Sequence, residues 1–189
     1  MKIIGITGSI GSGKTTAAHL LAGKKYPLFS ADKVVSNLYR KKNFKRILIK
    51  RFKLNNKKKI KDQIKLILEK DENNFYKLES IIHPLVRKEM INFLKKKNKI
   101  IFLEIPLLIE NKLNKYFDKL IFIGATKKLR LKRYIKKRGE KKTFDLLDKR
   151  QISQTIKKNI CDHIIDNNYS LAILRKNVKI FLKNYEWNF

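Results

Sequence analysis

The sequence predicts an α/β fold built on a doubly wound parallel sheet. Three observations predict it. Short apolar runs recur along the 189 residues, at KIIGI, YPLFSAD, KIIFLEIP, KLIFIGA and HIIDNN. Between them lie segments whose apolar residues fall three or four apart, and strands alternating with helices imply parallel pairing through right-handed crossovers. The stretch GSIGSGKTT stands between the first apolar run and the first helical one, and sheets of this kind hold ligands at the carboxyl ends of their strands.

Taken in order, Lys2–Ile6 reads as a short buried strand. Thr7–Lys14 is too rich in Gly and Ser to extend it. TTAAHLLAGKK, from Thr15, reads as a helix of good helix formers. The spacing Gly8-x-x-x-x-Gly13-Lys14-Thr15 is the one that wraps a polyphosphate. At that junction the first backbone N–H groups of the helix lack intrahelical partners, and the helix dipole favours negative charge there. Gly8, Gly11 and Gly13 keep any Cβ out of the way of phosphate oxygens. Lys14 is expected to bridge the β- and γ-phosphates, and Thr15 to offer its hydroxyl to Mg²⁺.

Tyr26–Asp32 reads as a second strand, placed beside the first and ending in a carboxylate. Asp32 is expected to face the phosphate cradle, where it could accept a proton from a substrate hydroxyl or help order Mg²⁺. It also suits the N-terminus of a helix starting at Lys33. Residues 33 to 97 are helical territory. Phe75, Leu78, Ile81 and Ile82 share a face, and Val86, Met90, Ile91 and Leu94 continue it beyond Pro84. Lys99–Pro106 is a strand with a continuous apolar run, as in a sheet buried on both faces. Glu104 closes that strand where a second carboxylate could hold a metal-bound water.

Lys119–Ala125 is a fourth strand. Thr126–Asp162 reads as two helices around Gly139, His163–Asn168 as a last strand, and Ser170–Tyr185 as a closing amphipathic helix. Arg133 and Arg138 stand in the basic stretch after the fourth strand. Nine arginines against thirty-eight lysines, with a guanidinium's planar fork that matches phosphate oxygens, suggest phosphate ligands, solvated helix charge being the other reading. His19 and His163 read as structural, and on composition alone so does His83. The whole is expected to be one domain. Residues 1–32 and 99–189 form the core, 33–98 a helical substrate insert, and about 127–150 a basic lid.

Composition narrows the partners. The charge is 47 basic against 16 acidic residues, or +31. Lysines are spread along the whole chain, with abundant isoleucine and asparagine, so the excess reads as compositional drift rather than a nucleic-acid surface, while still drawing in polyanionic metabolites. The single cysteine, Cys161, allows no intramolecular disulfide and reads as a small buried apolar residue. No apolar window reaches membrane-spanning length, and the leading KIIGI is too short for a signal segment; a cytoplasmic setting is expected.

Several stretches together resemble the dephospho-coenzyme A kinases. They are GITGSIGSGKTT, the SAD ending at Asp32, LESIIHPLVR (Leu78–Arg87), IPLLIEN (Ile105–Asn111), LKRYIKKR (Leu131–Arg138) and DHIIDNN (Asp162–Asn168). They occur in the family's order over nearly the whole chain. The resemblance implies a P-loop fold of the nucleoside-monophosphate-kinase type. It also implies transfer of the γ-phosphate of ATP, with Mg²⁺, to the ribose 3′-hydroxyl of dephospho-coenzyme A. It places Gly11, Ser12, Gly13, Lys14, Thr15 and Thr16 on the ATP phosphates, and Arg138 matches a lid arginine. Asp32 is then the base, and Lys14 and Arg138 act on the transferring group. His83, Arg87, Glu104, Pro106 and Leu107 stand on the acceptor side. Ser30 occupies the place of the first aspartate of the family's D-x-D. The alternatives are a P-loop kinase for another small metabolite or nucleotide, such as shikimate or gluconate, and a nucleic-acid-dependent ATPase. A guanine-reading N-K-x-D stretch is absent from the sequence.

Overall fold

The computed structural model describes residues 1–96 and 98–184. Lys97 and the expected helix end at Tyr185 lie outside the described residues. The chain divides into two compact units, Met1–Ser30 with Lys97–Phe189, and Ala31–Lys96.

The first unit carries five parallel strands. They are β1 (Lys2–Thr7), β2 (Leu28–Ser30), β3 (Ile100–Glu104), β4 (Lys119–Gly124) and β5 (His163–Asp166), in the spatial order β2-β3-β1-β4-β5. Helices α1 (Lys14–Ala22), α6 (Lys127–Lys136), α7 (Lys141–Lys149), α8 (Gln154–Ile160) and α9 (Leu171–Asn184) belong to this unit. Its core is apolar and mostly aliphatic: Ile4, Ile6, Ile100, Phe102, Ile121, Ile123 and Ile165 of the strands meet Ala17, Ala18 and Leu21 of α1 and Leu174 and Val178 of α9. All five residues of β3 are buried, as expected of a strand covered on both faces.

Three expectations change here. The second strand does not lie beside the first; β3 is inserted between them. The reason is burial. A fully buried β3 needs a neighbour on each side, whereas the three-residue, half-exposed β2 suits an edge. The second strand also stops at Ser30, so Asp32 is the second residue of the next helix rather than a strand terminus. A third difference lies after β4, where the basic stretch folds as three helices, not two. Arg138 takes a left-handed conformation (φ 63°) and ends α6. The Ser153 hydroxyl accepts from Ile156 N–H at 3.3 Å and starts α8.

The second unit is helical: α2 (Ala31–Leu38), α3 (Lys42–Phe52), α4 (Ile60–Lys70) and α5 (Asn73–Leu94). Leu38, Phe44, Leu48, Leu54, Ile64 and Leu78 form its own small core. Helix α5 runs unbroken through Pro84, as the apolar spacing on both sides of that proline requires.

Candidate active site

The loop between β1 and α1 is built as the spacing implies. Gly13 caps α1 with φ 89°, a left-handed conformation that a β-carbon disfavours. Ser12 N–H donates to the Ser9 carbonyl at 3.1 Å and so closes the turn. Lys14 begins the helix, 8% exposed, with Nζ donating to the Ser9 carbonyl at 3.3 Å. Its ammonium therefore folds back onto its own loop.

Register then brings a carboxylate to this loop. Glu104 pairs with Ile6 of β1 on one side and with Ser30 of β2 on the other. It is fully buried, at 0% exposure. Its Oε1 accepts from the Thr15 hydroxyl at 2.6 Å, and its Oε2 has no hydrogen-bond partner among the described residues. A buried carboxylate oxygen without a donor is costly. A hydroxyl and a half-satisfied carboxylate, both hard oxygen donors, fit a cation such as Mg²⁺. The Ser12 hydroxyl, also buried, likewise has no hydrogen-bond partner among the described residues. Thr7 Oγ1 donates to the Pro106 carbonyl at 3.1 Å and ties the segment after β3 to the end of β1.

The other wall of the loop comes from α6 and the exit of β5. Arg133 donates from Nη1 to the Ser12 carbonyl at 3.4 Å, and from Nη2 to Asn167 Oδ1 at 3.3 Å and to the Tyr169 carbonyl at 3.4 Å. Burial lowers its pKa. Asn167 Nδ2 donates to the same Ser12 carbonyl at 2.8 Å. Asn168 Oδ1 receives the Thr126 N–H at 2.8 Å.

The expected site residues therefore sort into groups. Gly8, Gly11, Ser12, Gly13, Lys14, Thr15, Thr16, Glu104, Pro106 and Arg133 gather around the loop at the carboxyl edge of the sheet, and Leu107 follows Pro106 half-buried. Arg138 is exposed on the turn between α6 and α7; no side-chain hydrogen bond joins it to the loop among the described residues. Asp32 is exposed in the first turn of α2, in the helical unit. His83 and Arg87 are exposed on α5 and line a groove of about 350 Å³ with Pro84, Lys88, Ile91 and Asn92. Sequence reasoning missed Arg130, Gln151 and Asn167. Asn167 had a signal: a short polar side chain just past the carboxyl end of a strand. Gln151 had none.

A family model described as dephospho-CoA kinase matches residues 2–172. The chain belongs to the dephospho-CoA kinase family. A dephospho-CoA kinase of Bartonella henselae is 32% identical over 191 residues, covering 97% of this chain and 98% of its own length. Among solved structures, a protein of Thermus thermophilus shares 26% identity at a TM-score of 0.79, with 96% of each chain covered. The dephospho-CoA kinase of Campylobacter jejuni shares 25% identity at a TM-score of 0.62, also with 96% of each chain covered. The stretches HPLVR, PLLIE and IIDNN fall on α5, on the segment after β3, and on β5 with the two residues beyond it. The chain is thus a phosphotransferase whose nucleotide substrate is ATP. None of the described helices is long and apolar enough to cross a membrane.

Proposed function

We infer that this chain transfers the γ-phosphoryl group of ATP to the ribose 3′-hydroxyl of dephospho-CoA, giving CoA. The observation that carries the reading is the cluster of Lys14, Thr15 and Glu104 at the carboxyl edge of the sheet, in a chain of this family.

Phosphoryl transfer asks a protein mainly for positioning and charge neutralisation. Backbone N–H groups from Gly11 to Thr16 hold the ATP phosphates, and Lys14 neutralises charge on the β- and γ-oxygens. Thr15 and Glu104 would hold Mg²⁺, whose chemistry there is to offset the charge that builds between the β- and γ-phosphates. Arg133, bonded to Ser12 and Asn167, flanks the nucleotide. Asp32 takes the proton of the attacking 3′-hydroxyl on its carboxylate, and Arg138 supplies a second cation to the transferring group. His83, Arg87, Pro106 and Leu107 bind the acceptor. The helical unit Ala31–Lys96 serves as the acceptor side and the turn carrying Arg138 as part of a lid.

A coupled assay with ATP, Mg²⁺ and dephospho-CoA tests this. The expected product is CoA, with little turnover on shikimate, gluconate or nucleoside monophosphates and little hydrolysis without acceptor. ATP hydrolysis driven by added RNA or DNA, with no CoA formed, would overturn it. Asp32→Asn should leave ATP binding near normal while suppressing transfer by about 10²-fold or more. An unchanged kcat removes Asp32 as the base.

A further inference from the structure

Ile10 stands within the phosphate loop, and both of its main-chain polar groups are held from outside it. Its N–H donates to Gln151 Oε1 at 2.9 Å. Its carbonyl accepts from Arg130 Nη1 at 3.2 Å. The two partners come from the far ends of one helical hairpin: Arg130 from α6, and Gln151 from just beyond α7.

Arg130 is itself immobilised. It is 3% exposed. Its Nη1 also lies 2.6 Å from Asp148 Oδ1, and its guanidinium sits 5.6 Å from the Phe144 ring centre. Asp148 is steadied in turn by Lys127 at 3.3 Å. The main chain of α6 abuts the loop at the next residue, since a β-carbon on Gly11 would fall 2.5 Å from the Arg130 carbonyl oxygen.

A trans peptide unit is rigid and planar, so holding its carbonyl also aims the N–H on its other side. The Ile10 carbonyl and the Gly11 N–H share one such plane. Arg130, by holding the first, directs the second. The Ser9 carbonyl and the Ile10 N–H share the preceding plane. Gln151 thus fixes the carbonyl that receives Lys14 Nζ. A glycine-rich loop left unheld would have to be ordered when its ligand arrives, and that ordering entropy weakens binding.

We propose that Arg130 and Gln151 are positioning residues that set the two peptide planes flanking Ile10, and so preorganise the loop for nucleotide phosphates. They touch the loop backbone, not the ligand. The proposal rests on the phosphate-binding reading above.

The test uses the full chain and two pairs of variants. Gln151→Leu removes the acceptor for Ile10 N–H, and Gln151→Glu keeps one. Arg130→Met keeps the bulk against Phe144, and Arg130→Lys keeps the charge without the fork. In ligand-free protein, amide hydrogen exchange of the Ile10–Gly13 segment should be faster in Gln151→Leu than in wild type and largely restored in Gln151→Glu. Calorimetry should show ATP binding weakened about fivefold in Gln151→Leu, the effect of one lost hydrogen bond. The KM for dephospho-CoA should not move. If Arg130→Met fails to fold, the Gln151 pair still decides. Wild-type exchange and wild-type ATP affinity in Gln151→Leu overturn the proposal, as does an equal loss in Gln151→Glu. Faster loop exchange in Gln151→Leu, in a protein that forms no CoA, keeps the positioning role and overturns the kinase reading instead.

Discussion

Glu104 is placed where stability and activity pull in opposite directions. Its carboxylate is fully buried, one oxygen bonded to Thr15 and the other without a hydrogen-bond partner among the described residues. A folded chain needing only stability would have an apolar or fully hydrogen-bonded side chain there, since a buried polar oxygen left without a donor is expensive. Glu104→Gln should therefore raise the melting temperature of the ligand-free protein and cut kcat by about 10²-fold, with a higher Mg²⁺ requirement. A variant that is less stable and fully active would place Glu104 among structural acids. Lys14 makes a different prediction, because its Nζ folds back onto Ser9 within its own loop. Lys14→Met preserves the apolar stem and removes the charge. Turnover should fall about 10³-fold with the melting temperature nearly unchanged, and circular dichroism beside the coupled assay checks both. Near-normal turnover would remove Lys14 from the cradle.

Among the elements, the junction of β1 and α1 is the most constrained. Gly13 needs a left-handed conformation, and a β-carbon there would lie 2.3 Å from Asn167 Nδ2. Gly13→Ala should thus cost more than about 1 kcal/mol and displace Asn167 from the Ser12 carbonyl. Denaturant unfolding reads the first effect, and a weaker ATP affinity the second. This junction was legible in the sequence because three glycines and one lysine at fixed spacing follow an apolar run. The strands were legible for a related reason: continuous Ile, Leu and Phe runs such as IIFLE suit only a sheet covered on both faces. The place of β2 was not legible, since a strand of three residues carries no pattern that names its neighbour. Nor was the start of α2, where Ser30, Ala31 and Asp32 suit a strand end and a helix start equally well. The hold of Arg130 and Gln151 on Ile10 joins residues 120 and 141 positions apart. Local periodicity contains nothing about such pairs, and in a chain with thirty-eight lysines one buried arginine does not stand out.

For the molecule as a whole, a net charge of +31 makes self-repulsion a standing cost of compactness, and it is screened by salt. The melting temperature should rise with sodium chloride between about 0.01 and 0.15 M, as the Debye length falls from about 30 to 8 Å. Acid adds two further steps, each with its own sign. Burial holds the pKa of His163 below 6.5, against the raising pull of Asp162. Its folded pKa is depressed, so as pH falls through 6.5 the unfolded chain binds a proton that the folded chain refuses, and stability drops. Asp162 and Asp148 act lower. Burial alone would raise both, but Lys119 and the Leu120 N–H for the first, and Arg130 and Lys127 for the second, hold them below 3.8. A depressed carboxylate stabilises fully above the unfolded value and loses that contribution as pH falls through the folded one. The melting temperature against pH should therefore fall in two stages, the first beginning near 6.5 and the second near 3.8. His163→Gln should abolish the first stage and leave the second. Asp162→Asn and Asp148→Asn should lower the neutral plateau and shrink the second. A single-stage profile, unchanged by His163→Gln, would mean that general charge repulsion rather than these groups governs acid unfolding, and the salt series would then account for the whole curve.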